Sequence, residues 1–192
     1  MYLDWHTMLG ICASVLLLLL IIPYIKSILT STTRPSIVSW FGWAILFIIA
    51  TVAQVSKGLD WSLAVPLIST LSTLIIAFTA LYLGRVIWTR ADVICIVLAC
   101  FAVIFWVITK EPLTAIIVSI FADFFVTVPT IVKTYQDPSS EPSVLWILYV
   151  IGAILEVFAT KQLTIYNLLF PIYTVIGSAL IAVLSLRKHL RI

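Results

Sequence analysis

The chain has 192 residues, of which 63% are hydrophobic and 10% charged, with a mean hydropathy of +1.23; that is more apolar surface than a soluble core of this length can hide. Its formal net charge is +3, and the Lys and Arg side chains lie between apolar runs and not in one cluster, which argues against a nucleic-acid partner. Cys12, Cys95 and Cys100 lack CxxC spacing, and His6 and His189 stand near opposite ends, so no disulfide, metal, cofactor or enzymatic activity is expected.

A helix needs about 20 apolar residues to cross a bilayer, and seven segments qualify. The first, 7–28, follows a start with no basic n-region, and no small-residue cleavage site follows the leucine run at 16–20, so it reads as a retained helix. Pro23 lies near its far end. Pro35-Ser36 introduces the second segment, 37–56, which carries Trp40, Trp43 and, deep within it, Gln54. Lys57-Gly58-Leu59-Asp60 precedes the third, 61–83, with Pro66, Ser69 and Thr73. The fourth, 91–109, ends before Lys110-Glu111-Pro112, which opens the fifth, 112–134, with Asp123 and Pro129. Pro142-Ser143 starts the sixth, 143–160, with Trp146, Tyr149 and Glu156; the seventh, 163–186, holds Asn167, Pro171, Thr174 and Ser178. Such short connections predict one bundle without a soluble domain.

Basic residues are retained on the cytoplasmic side of membranes. With the N-terminus outside, that side holds Lys26, Arg34, Arg85, Arg90, Lys133, Arg187, Lys188 and Arg191, against Lys57, Lys110 and Lys161 outside. The expected topology is therefore N-terminus outside and C-terminus cytoplasmic, in a plasma or inner membrane.

The chain also repeats itself. Ile22-Pro23-Tyr24-Ile25-Lys26, a polar loop, Arg34-Pro35-Ser36 and Trp40 recur as Val128-Pro129-Thr130-Ile131, Lys133, a second polar loop, Glu141-Pro142-Ser143 and Trp146. Pro23 and Pro129 are 106 positions apart, as are Trp40 and Trp146, and Pro66 and Pro171 are 105 apart. Three helices plus one linker is an even number of crossings, so the second block enters the membrane in the direction of the first. The expected fold is all-α and polytopic: two parallel three-helix bundles, 1–88 and 111–192, joined by a linker transmembrane helix at 89–110.

These features resemble the SWEET and PQ-loop transporter superfamily, whose parallel repeats flank a linker helix. The resemblance implies hinges or a gate at Pro23, Trp40 and Pro129. Departures are visible too: Pro23-Tyr24 and Pro129-Thr130 stand where a PQ-loop has Pro-Gln, and Asn167 is the only asparagine.

Polar side chains at membrane depth are costly unless they face a cavity or a partner. Candidate substrate-binding residues are Gln54, Ser69, Thr73, Asp123, Glu156, Asn167 and Thr174, with Trp43, Trp146 and Tyr149 as stacking walls. Asp123 has no basic residue one turn away, whereas Glu156 is close enough to Lys161 for an interfacial ion pair. The expected function is a carrier that moves a small polar solute, sugar-like as a first guess, by alternating access, with coupling to protons through these carboxylates. Expected partners are the lipid bilayer, the solute, protons and a second copy of the chain. A non-transporting receptor or sorting protein of the same fold is the alternative.

Overall fold

The structure is a computed structural model that describes residues 4–55, 64–84, 90–109 and 112–190. Among these are seven α-helices and no strand: α1 (Trp5–Leu29), α2 (Ile37–Val55), α3 (Ala64–Tyr82), α4 (Arg90–Thr109), α5 (Pro112–Gln136), α6 (Ser143–Ala159) and α7 (Ile165–Leu190). Three of them are long and apolar enough to cross a membrane, over Trp5–Leu29, Ile116–Gln136 and Asn167–His189. The expected segments at 56, 61–63 and 110–111, and Lys57, Gly58, Arg85 and Arg191 with them, lie outside the described residues.

Local chemistry sets the helix ends. The Asp4 carboxylate accepts the Thr7 amide at 2.9 Å and caps α1. At the other end Ser31 turns into the left-handed region at φ 60, and Thr32 donates back to the Ser27 carbonyl at 2.9 Å. Pro112 stands at the first helical position of α5, where its missing amide costs nothing. Pro23, Pro129 and Pro171 lie inside continuous helices. Helix α7 runs past the expected 186 because Arg187, Lys188 and His189 form its last turn, where cations favour the helix dipole.

Helix neighbours follow a regular scheme. α3 lies against both α1 and α2, and α7 against both α5 and α6. Across the middle, α1 meets α6 and α2 meets α5. Exchanging α1, α2 and α3 for α5, α6 and α7 leaves this set of neighbours unchanged. α4 stands apart from the exchange, against α5 and one side of α2.

The best-packed core joins both sets of helices through Leu20, Tyr24, Ile28, Trp40, Ile76, Leu145, Trp146 and Ile181. The exterior is apolar: Ile22 is 67% exposed, Phe101 65%, Ile108 71% and Ile176 64%, which in water would leave a continuous greasy surface. Charges gather at the two ends. At one end Lys161 Nζ lies 2.6 Å from Asp4 Oδ2, and the His6 ring nitrogen is 3.2 Å from the Phe158 carbonyl. At the other, Arg187 donates to the Tyr135 carbonyl at 3.3 Å and lies 5.0 Å over that residue's ring, near Lys133 and Lys188.

Candidate functional site

A cavity of about 130 Å³ opens where the two sets of helices meet. α2 contributes Trp40, Trp43 and Phe47, α3 contributes Ser69 and Thr73, and α5 contributes Asp123 and Thr127. Trp146, Tyr149 and Glu156 come from α6, and Phe170, Tyr173, Thr174 and Ser178 from α7. Spacing explains the convergence: Trp146 and Tyr149, like Trp40 and Trp43, are one turn apart and share a helix face. Trp40 and Trp43 meet edge to face at 5.2 Å, Trp43 and Trp146 lie 6.2 Å apart, and Trp146 and Tyr149 5.7 Å. The aromatic rings form one continuous wall.

Asp123 faces neutral donors. Tyr173 Oη donates to its Oδ2 at 2.7 Å and Thr127 Oγ1 to the same oxygen at 3.3 Å, while Trp43 Nε1 donates to Thr127 Oγ1 at 3.2 Å. Glu156 is exposed, and no described residue hydrogen-bonds its carboxylate. Lys161, the neighbour expected to pair with it, binds Asp4 instead. That hydrogen bond, with those from Thr7, holds the Asp4 carboxyl well below its ordinary value.

Of the residues expected from sequence, the cavity gathers Trp40, Trp43, Ser69, Thr73, Asp123, Trp146, Tyr149, Glu156 and Thr174. Asn167 is elsewhere: it lies in the first turn of α7, exposed, and its amide donates to the Gln162 carbonyl at 3.1 Å. Pro23 is exposed and Pro129 buried, and neither lines the cavity. The side chains of Gln54 and Pro66 lie outside the described residues. Sequence reasoning missed Thr127 and Tyr173. Thr127, four residues after Asp123 on the same helix face, carried a legible signal.

It also missed the buried network that adjoins the cavity through Trp40 and Trp146. The fully buried Glu141 carboxylate accepts Tyr24 Oη at 3.0 Å, Trp146 Nε1 at 3.0 Å and an ion pair from Lys133. Trp40 Nε1 donates to Tyr24 Oη at 3.1 Å, Lys133 Nζ to the Arg34 carbonyl at 2.7 Å, and Lys188 Nζ to the Glu141 carbonyl at 3.4 Å. The Glu141 carboxylate thus ties α1, α5 and α6 together; α2 joins through Tyr24, and α7 through the Glu141 backbone carbonyl. Beside it, Thr130 on α5 donates to Ser39 on α2 at 2.9 Å, with both groups buried.

A wider open trough of about 690 Å³ runs between α4 and α5, lined by Leu98, Phe101, Ile104, Phe121 and other apolar side chains. Thr114 is its only polar lining group among the described residues, a poor set to orient a polar solute.

No protein-family model matches the chain, and neither the curated proteins nor the solved structures gave a match.

Proposed function

We propose that the protein is a multi-pass membrane carrier of seven spans that moves a small polar solute by alternating access. The observation that carries this reading is the cavity between two interchangeable sets of three helices, its mainly apolar, aromatic wall carrying two carboxylates, with the Glu141 network beside it. Parallel-repeat carriers bind at such an interface and rock one block against the other. The end with that network bears Arg34, Lys133, Arg187 and Lys188, which makes it the cytoplasmic end by the positive-inside rule and puts Asp4 and Lys161 outside. The chain then rests with its inner gate shut and exposed Glu156 towards the outer side.

The apolar exterior supports the membrane location, and the order of helix neighbours supports the SWEET-like arrangement of two bundles and a linker. A receptor for a peptide carboxylate would need a cation in the cavity. Among the described residues Lys133 is the one basic side chain buried near it, and Glu141 already holds that charge. The test is uptake into proteoliposomes across sugars, amino acids, organic acids and amines. Saturable uptake above that of protein-free vesicles is expected for one class. Uptake of none, with the protein folded, removes the carrier reading.

A further inference from the structure

The polar groups around the cavity are unbalanced. Donors are committed within the protein: Trp43 to Thr127, Tyr173 and Thr127 to Asp123, Trp40 to Tyr24 and Trp146 to Glu141. The hydroxyls of Thr73, Thr174 and Ser178 donate to the carbonyls of Ser69, Phe170 and Thr174 at 2.8, 3.0 and 2.6 Å. Only the Ser69 and Tyr149 hydroxyls have no partner among the described residues. What faces the cavity is mostly acceptor: the Glu156 carboxylate, the remaining sites of Asp123 and the lone pairs of those hydroxyls. No Lys, Arg or His is among the described lining residues.

We propose that the solute is a small organic cation, an amine or quaternary ammonium with no carboxylate of its own; this deepens the carrier reading and rests on it. An ammonium brings donors and positive charge to a wall of acceptors and two carboxylates. It also meets the faces of Trp43, Trp146 and Tyr149, whose quadrupoles attract cations. A neutral polyol can donate to the same acceptors, but it brings no charge to the two carboxylates and its own lone pairs would find few donors; each unmatched polar group lowers affinity. An anion or an amino-acid zwitterion would set its carboxylate against Asp123 and Glu156 with no cation between. At about 130 Å³ the cavity holds the volume of about four waters. A solute of that order, about four to six non-hydrogen atoms, is expected.

The test uses the full-length protein in nanodiscs and follows tryptophan fluorescence on titration with tetramethylammonium and ethanolamine, with glycerol and acetate as neutral and anionic probes of similar size. Saturable quenching by the two cations and none by glycerol or acetate is expected. Glu156→Gln should weaken cation binding at least tenfold, as should Asp123→Asn. Glu156 has no side-chain partner among the described residues, so its variant should stay folded if Asp123→Asn does not. Binding of glycerol or acetate in preference to the cations overturns the inference, and so does equal cation binding by wild type and both variants. Labelled ethanolamine uptake separates the two readings. Cation binding without uptake supports the ligand class and removes the carrier; saturable uptake of another class without cation binding overturns the ligand class and leaves the carrier standing.

Discussion

Glu141 has no exposed surface, and Tyr24, Trp146 and Lys133 converge on its carboxylate. Removing one partner of a buried ion pair leaves an uncompensated charge, at a cost of about 3–5 kcal/mol. Lys133→Met and Glu141→Gln should each lower the thermal midpoint by several degrees, followed by circular dichroism in detergent. Asp4→Asn breaks an exposed pair in which Lys161 is 59% accessible, where water screens the charges, and should shift the midpoint far less. Equal shifts would contradict the placement of the Glu141 pair in the core. Because Asp4 has a lower pKa folded than unfolded, its tie to Lys161 is fully present above the ordinary carboxylate range near pH 4 and is lost as pH falls through the folded value. Asp123 and Glu156 make a separate prediction: groups that bind a cation also bind a proton, so wild-type uptake should respond to an imposed proton gradient, and Glu156→Gln should blunt that response. Wild-type uptake indifferent to the gradient would remove coupling.

At the scale of helices, the two central contacts differ in closeness. A Cβ on Gly42 of α2 would overlap the Val126 side chain of α5 down to its own Cβ, whereas one on Gly152 of α6 would meet Leu17 and Leu16 of α1 at 3.6 and 3.7 Å, ordinary contact. Gly42→Ala should cost about 1–3 kcal/mol through overpacking, and Gly152→Ala much less; the reverse order in thermal unfolding would contradict this packing. The helices were legible because an apolar run of about 20 residues bounded by Pro, Gly and charge has few other solutions. Which faces meet was not. Tyr24 and Glu141 are 117 positions apart, and a Glu-Pro-Ser loop reads as solvent-exposed until α1, α5 and α7 close over it. Asn167 lies outside the cavity for a related reason: polarity is written in the sequence, but depth is not, and its amide serves the first turn of α7. Asp123 was easier, since an aspartate amid apolar residues on α5 has to face inward.

For the whole molecule, the exchange of α1–α3 with α5–α7 is incomplete where it matters. The second half supplies Lys133, Glu141, Asp123 and Glu156, while the first supplies Tyr24, Trp40 and Trp43. One block carries most of the charge and the other most of the indole wall, so in the proposed carrier relative motion of the blocks would both open the gate and dismantle the site. The proposed topology predicts that single cysteines at the exposed positions Ser139 and Gln162, in a chain with Cys12, Cys95 and Cys100 replaced, react with an impermeant reagent only from the cytoplasmic and only from the outer side, respectively. Alternating access is tested most directly inside the cavity, with Thr174→Cys on that background, with and without Glu141→Gln. Labelling from outside alone is expected when the Glu141 network is intact, and labelling from the cytoplasmic side with a matching loss from outside when it is broken. Labelling from both sides at once, or no change on breaking the network, would contradict it.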